Sequence, residues 1–221
     1  MEMAGLAQKG GAVHIHLRLA EHPDDISAVR VATGEADAVI GGDLVVTAGA
    51  KTIGLMTTGR TGAVVNSHET VTGDFTRDRN FLLPSDQLTL ALEARLQDGL
   101  RRFDATELAR TVLGDAIYSN MALLGAAWQA GLVPLSEDAI HNAIRLNGAA
   151  VDGNLRAFDL GRWAVFAPDD VAAILAPKAV DLPKTLAQKI DLRRDHLRAY
   201  GGRRLAKRFA ARLESLPDDT L

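Results

Sequence analysis

DAVIGGDLVVTAGAKTIGLMTTGRTGAVVN, Asp37–Asn66, is the stretch that decides how this chain folds. It opens on a short apolar run, Asp37–Ile40, bounded by Gly34 and by Gly41-Gly42. Four residues are too few for a helix and suit a buried strand. Asp43 stands at an N-cap position, and Leu44 to about Met56 reads as the helix it starts. Ala48, Ala50 and Gly54 are small enough to let that helix lie close on a sheet. A Gly-Arg-Thr-Gly turn leads to Ala63–Asn66, a second short buried strand. Strand, helix and strand at this spacing form a βαβ unit, which predicts parallel pairing and a right-handed crossover.

Outward from this unit the pattern continues. On its N-terminal side, Val13, Ile15, Leu17 and Leu19 alternate with His14, His16 and Arg18. That is period two, a strand with one buried and one wetter face. Ala12–Leu19 is therefore expected beside Asp37–Ile40 and Ala63–Asn66 in one layer, with Lys9 at the rim of their shared mouth. Glu21–Ile26, with Pro23 and two aspartates, is loop. On the C-terminal side, Ser85–Gln97 is helical and Arg102–Thr106 reads as a final short strand. Asp104 with Glu107 resembles a capping box for a helix over Glu107–Leu113. Helices follow at Ala116–Ala130, Glu137–Leu146 and roughly Val151–Trp163. Pro168 and Pro177 interrupt the pattern around a short turn, Val171–Leu175. From Pro183 a long helical pattern runs to about Leu216, and Lys184–Arg212 holds ten Lys and Arg against two Asp. The expected architecture is α/β: three-layer α/β/α with a mostly parallel sheet, plus a helical C-terminal extension.

The bulk numbers bound the function. The chain has 221 residues, 47% hydrophobic and 24% charged, values typical of a soluble globular protein. A formal net charge of −3 gives the whole molecule no global affinity for nucleic acid or anionic membrane. There is no cysteine, which removes disulfides, thiolate metal sites, iron–sulfur ligation and a cysteine nucleophile and fits a reducing cytoplasm. No signal peptide opens the sequence, and the apolar stretch around Met121–Leu132 is too short to span a bilayer. A cytoplasmic protein without nucleic-acid or membrane partners is expected.

Four clusters invite chemical readings. His14 and His16 share a strand face and could share a metal ion, but no third ligand stands near, so a half-exposed sheet face is the preferred reading. Asn66-Ser67-His68-Glu69 places serine, histidine and acid side by side, which seldom makes a hydrolytic triad. It does lie at the carboxyl end of a parallel strand, where ligand-facing loops collect; a structural loop is preferred over a catalytic one. Gln8-Lys9-Gly10-Gly11 offers exposed backbone N–H groups and a point charge suited to an anion, without Walker spacing; an anion site and a plain turn stay equally open. The basic arm holds few aromatics, only Tyr200 and Phe209, so a solvated or docking face is preferred over nucleic-acid binding. No GxGxxG opening and no thiamine-binding GDG-to-Asn-Asn stretch is present.

MAGLAQKGGAVHIHLRLA, GEADAVIGGDLVVTA, GAVVNSHETVTGDF and LLGAAWQAGLVPLSEDAI, in this order, resemble the gamma-type domain of 2-oxoacid:ferredoxin oxidoreductases. The likeness is greatest to the fused bacterial indolepyruvate enzymes and covers residues 1–166; residues 167–221 are similar to the start of the helical region that follows. In the family, a Gly-rich turn with its helix and a full strand precede GLAQKGG, so the chain is expected to be an N-terminally truncated domain fragment. On this reading the first strand–helix unit would be absent from the stretch given, and a sheet edge is expected to need a neighbour to cover it. The resemblance implies oxidative decarboxylation of a 2-oxoacid, an aryl pyruvate such as indolepyruvate, to an acyl-CoA. Thiamine diphosphate, magnesium and 4Fe-4S clusters would sit in other domains of the parent enzyme, none bound by this fragment, with ferredoxin taking the electrons. It implies no catalytic residue and no metal ligand here, and partners that are other domains or subunits, with a homo-oligomer expected. Gln8, Lys9, Gly10 and Gly11 would face a substrate or CoA cleft, with Asn66, Ser67 and His68 across the strand ends. The alternatives are a pure subunit-interaction module without ligand contact, and a stand-alone nucleotide-binding regulator, disfavoured by the missing Gly-rich turn.

Overall fold

A computed structural model describes residues 2–4, 13–69, 84–176 and 183–215. The chain forms two compact units, Met1–Ala176 and Pro177–Leu221. The first begins with two short strands, β1 (Glu2–Ala4) and β2 (Ile15–Leu17), paired antiparallel with Met3 opposite His16. The main sheet has three parallel strands, β3 (Ala38–Gly41), β4 (Gly62–Asn66) and β5 (Leu100–Phe103), in the order β3-β4-β5. The βαβ reading of Asp37–Asn66 is thus the observed one.

Ala12–Leu19 is where expectation and structure part. Its strand pairs with β1 rather than joining the parallel layer. The period was legible, but the faces are reversed. Val13, Ile15, Leu17 and Leu19 are all exposed, between 51% and 66%, and the polar residues tie the segment down. His14 Nε2 lies 3.1 Å from Thr52 Oγ1. The Thr52 hydroxyl already donates to Val46 O, so His14 is the donor. His16 Nδ1 accepts from the Val31 N–H, and Arg18 donates to Arg30 O and Glu35. The two histidines have different partners, so nothing brings them onto one ion. Hydrogen bonds, rather than burial, hold this strand.

Between β3 and β4 the expected single helix is two short turns, α1 (Leu44–Thr47) and α2 (Ala50–Ile53). Asp43 caps α1 by accepting from Val46 N–H at 2.8 Å. Gly49, in an extended conformation, breaks the run and starts α2. After β4 come α3 (Ser85–Leu96), β5, α4 (Ala105–Leu113) and α5 (Ser119–Gln129), then α6 (Glu137–Asn147), α7 (Val151–Phe166) and α8 (Pro168–Leu175). The last strand lies a few residues earlier than expected, because Asp104 leaves the sheet to cap α4. α6 has the expected bounds: Ser136 caps it and Gly148, at φ 72°, ends it.

The three layers are visible in one strand. Ala63, Val64 and Val65 are fully buried, but alternate sides of the sheet. Ala63 and Val65 pack with Leu44, Met56, Leu92 and Leu96 from α1–α3 and their connections. Val64 packs on the opposite face with Ala105, Leu123, Ala126 and Ala127 from α4 and α5. A strand covered on both faces reads as a continuous apolar run, which is why β4 was legible. α5 and α7 then touch backbone to backbone: a methyl at Gly125 would overlap the Phe158 carbonyl, and one at Gly161 the Ala122 carbonyl. Leu108, Leu160, Ala164 and Val171 form a further cluster that holds α8 in the first unit.

The second unit is a long helix, α9 (Leu186–Glu214), opened by a capping box between Thr185 and Gln188. At Gly202, φ 75° and ψ −179°, it kinks. No helix among the described residues is long and apolar enough to cross a membrane.

Candidate functional site at the carboxyl ends of the sheet

Parallel strands deliver their carboxyl ends to one edge of the sheet, where α/β proteins place ligands. Here that edge collects Gly41-Gly42 at the end of β3, Asn66-Ser67-His68 at the end of β4, and Asp104 after β5. Asn66, 5% exposed, is the hub. Its Nδ2 donates to Gly42 O at 3.2 Å and to Thr106 Oγ1 at 2.9 Å. Its Oδ1 accepts from Ala105 N–H at 3.0 Å and from His68 N–H at 3.2 Å. Both amide donors and both oxygen lone pairs are used. One side chain thereby joins the ends of all three strands to the start of α4. Ser67 N–H donates to Phe103 O at 3.0 Å, which extends the β4–β5 pairing by one residue.

His68 sits on this frame, half-buried. Its Nδ1 lies 3.0 Å from Asp104 Oδ2. The other Asp104 oxygen accepts from Glu107 N–H at 2.7 Å, the N-cap of α4. Asp104 therefore serves a fold and a side chain at once. Nε2 of His68 makes no hydrogen bond among the described residues. An imidazole held through Nδ1 by a carboxylate presents Nε2 as an acceptor when neutral and as a donor when protonated. Sequence reading identified Asp104 only as a cap. Its partnership with His68 spans 36 positions and depends on β4 and β5 being neighbours, which no local pattern signals. Gln8, Lys9, Gly10 and Gly11 lie outside the described residues; of the expected cleft residues, the structure brings together Asn66, Ser67 and His68.

A second cluster was not anticipated. Glu137, His141 and Asp159, from α6 and α7, bring one ligand atom each within 4.8 Å of one another, a donor set that suits a divalent cation. The Arg162 guanidinium already bridges it, 2.8 Å from Glu137 Oε1 and 3.1 Å from Asp159 Oδ1, and stacks over Trp128 at 4.9 Å. His141 Nε2 is 3.9 Å from Glu137, too far for a hydrogen bond, and its ring stands edge-on to Phe158. The cluster's negative charge is thus answered by arginine, and a metal would have to displace it.

Elsewhere in the unit, charge pairs fasten loops. Arg18 hydrogen-bonds Glu35 and, with the Ala32 N–H, holds its carboxyl below the usual carboxylate range. Asp37 does the converse for Arg60, raising it further.

Comparison with known proteins agrees with this architecture. The family described as pyruvate ferredoxin/flavodoxin oxidoreductase matches residues 1–164. The indolepyruvate oxidoreductase subunit IorB of Pyrococcus horikoshii is 29% identical over 163 residues, 72% of this chain and 77% of that protein. The subunit of the same name from Methanothermobacter thermautotrophicus is 28% identical over 159 residues, 71% of this chain and 76% of its own length. That from Thermococcus kodakarensis is 35% identical over 78 residues, 34% and 38% respectively. No solved structure matches the chain. A parallel α/β core with its strand ends gathered by Asn66, and a family match over three quarters of the length, lead to one assignment: the chain belongs to the pyruvate ferredoxin/flavodoxin oxidoreductase family.

Proposed function

We propose that this chain is a gamma-type domain of a thiamine diphosphate-dependent 2-oxoacid:ferredoxin oxidoreductase acting on an aryl pyruvate such as indolepyruvate. The complete enzyme decarboxylates the 2-oxoacid oxidatively to an acyl-CoA and passes the electrons to ferredoxin. The observation that carries this reading is the family match over residues 1–164, supported by relatives that are named subunits of indolepyruvate oxidoreductase.

The domain's own part is structural and cleft-forming rather than catalytic. Thiamine diphosphate and iron–sulfur clusters supply decarboxylation and electron transfer in such enzymes. With no cysteine, this chain offers no thiolate to a cluster. What it contributes is a rigid rim. Asn66 locks the strand ends, and His68, held by Asp104 through Nδ1, accepts a ligand hydroxyl or amide at Nε2 when neutral and donates to an anionic oxygen when protonated. On this reading Gln8, Lys9, Gly10 and Gly11, which lie outside the described residues, contribute to ligand binding through their sequence chemistry, Lys9 attracting the CoA phosphates or the substrate carboxylate. The domain works in contact with other domains or subunits of the oxidoreductase, in a cytoplasmic homo-oligomer.

The test uses the complete enzyme. Lys9→Ala and His68→Gln should raise the KM for CoA or for the 2-oxoacid, with kcat much less affected. An unchanged KM for both substrates in both variants would leave only the rival reading, a subunit-interaction module without ligand contact.

A further inference from the structure

The charge of this chain is divided between its two units. Residues 1–176 carry 14 basic and 22 acidic side chains, a formal net of −8; residues 177–221 carry 11 and 6, a net of +5. Within it, the stretch Arg203–Arg212 beyond the kink at Gly202 holds five cations and no acid. Arg203, Arg204, Lys207, Arg208 and Arg212 are all exposed. At 3.6 residues per turn they cover about half the circumference of the helix. Leu205, Phe209 and Leu213 occupy the other side and are only partly exposed.

Arg203/Lys207, Arg204/Arg208 and Arg208/Arg212 stand four apart, so like charges are stacked along one helical face, an arrangement that destabilises an isolated helix. None of these five makes an ion pair among the described residues; the one ion pair within α9 joins Arg194 to Asp191, before the kink. Arg162 and Arg110 on the helices of the first unit have carboxylate partners, whereas Arg95, Arg145 and Arg156 there stand singly rather than stacked four apart on one face. A helix face kept cationic at a cost to its own stability is built for a negative partner.

We propose that the Arg203–Arg212 face docks a small electron-carrier protein through an acidic patch on that carrier. This rests on the reading in the preceding subsection, in which electrons leave on a separate protein. The face is five cations over ten residues, about 14 Å of helix. That is the scale of the small, transient and charge-steered contacts that electron-transfer partners make. An extended polyanion fits less well. The second half of the helix carries a single aromatic, Phe209, and that side chain lies among the partly exposed apolar ones.

The experiment uses the complete oxidoreductase with its other domains or subunits, carrying Arg203→Gln, Arg204→Gln, Lys207→Gln and Arg208→Gln together. Reduction driven by the 2-oxoacid is followed with two acceptors, a ferredoxin and the small dye methyl viologen. The expected result is a KM for ferredoxin raised about tenfold at low ionic strength, a flattened salt dependence, and unchanged dye reduction. The charge-preserving set, Arg203→Lys, Arg204→Lys, Lys207→Arg and Arg208→Lys, should keep the wild-type KM. Should the quadruple variant fail to assemble, Arg204→Gln and Arg208→Gln singly give smaller shifts in the same direction. Intact dye reduction with an unchanged KM for ferredoxin overturns the proposal, as does a wild-type enzyme that binds a short DNA duplex or phosphatidylserine vesicles more tightly than ferredoxin. A wild-type enzyme that reduces neither acceptor at the expense of a 2-oxoacid would instead overturn the proposed reaction.

Discussion

Particular arginines of the two units make a useful comparison. In the first, Arg162 lies between Glu137 and Asp159 with its guanidinium over Trp128, and Arg18 fastens the β2 segment to Glu35 and Arg30 O. These cations are spent inside the fold. In the second, the five cations beyond Gly202 have no ionic partner among the described residues. The difference teaches where to look for each role. Paired charge, with the apolar layers around β4, helps to specify a structure; unpaired charge on one helix face is left available to a partner.

Substitutions can break or sharpen that comparison. The largest expected effect is in the packed unit. Gly161→Ala drives a methyl into the Ala122 carbonyl where α5 and α7 meet, and should lower unfolding stability by about 3 kcal/mol, read from urea denaturation. Gly202→Ala, at φ 75° with open space around it, should cost about 1 kcal/mol and act on arm helicity alone. Equal losses from the two would erase the distinction drawn here.

Asn66→Ala comes next. It removes four hydrogen bonds at a buried hub and leaves the Ala105 N–H, itself buried, without a partner. The expected loss is about 2–3 kcal/mol, with a melting temperature that falls accordingly. A near-neutral result would mean water or a neighbouring group replaces those bonds.

Asp104 separates its two duties. Asp104→Ala removes the α4 cap and should cost about 1 kcal/mol. Asp104→Asn keeps a capping oxygen for Glu107 N–H but can turn an amide donor toward His68 Nδ1. Stability should then stay near wild type, while the His68 tautomer, followed by ¹⁵N chemical shifts of the imidazole, changes. An unaltered tautomer would show that Asp104 does not orient the ring.

Smaller still is the arm. Neutralising Arg203, Arg204, Lys207 and Arg208 removes like-charge pairs worth about 0.2–0.5 kcal/mol each, so helicity by circular dichroism should rise slightly rather than fall. A clear loss of stability would place these cations with the paired ones of the first unit.

The smallest effect is acid-dependent. Glu35 is held below its ordinary value of 4.5 by Arg18. The stabilisation is therefore complete above that ordinary value and fades as pH falls through the lowered one. Glu35→Gln should weaken stability at neutral pH and change nothing in strong acid. A variant with the same deficit at both would assign the effect to packing instead.

Much of this was legible without coordinates, and the reason is locality. Short apolar runs bounded by glycine produced β3 and β4, and the caps Asp43, Asp104 and Ser136 marked helix starts because a cap and its target lie three residues apart. Gly49 was missed as a break because nothing local distinguishes it from the small residues expected to pack on the sheet. Alternation in Ala12–Leu19 disclosed a strand but not which face would be buried. That depends on what the rest of the chain puts beside it, and here Thr52, Val31 and Glu35 claimed the polar side.

The sequence by itself determined the parallel α/β core, the family and the uneven distribution of charge, since these follow from periodicity, motif order and composition. Only the tertiary structure decided that Asn66 would bind three strand ends together, that His68 would meet Asp104, and that Arg162 would fill the carboxylate cluster of α6 and α7. Those contacts join residues between 24 and 40 positions apart. Their geometry is set by which strands and helices become neighbours, a property of the assembled layers rather than of any segment.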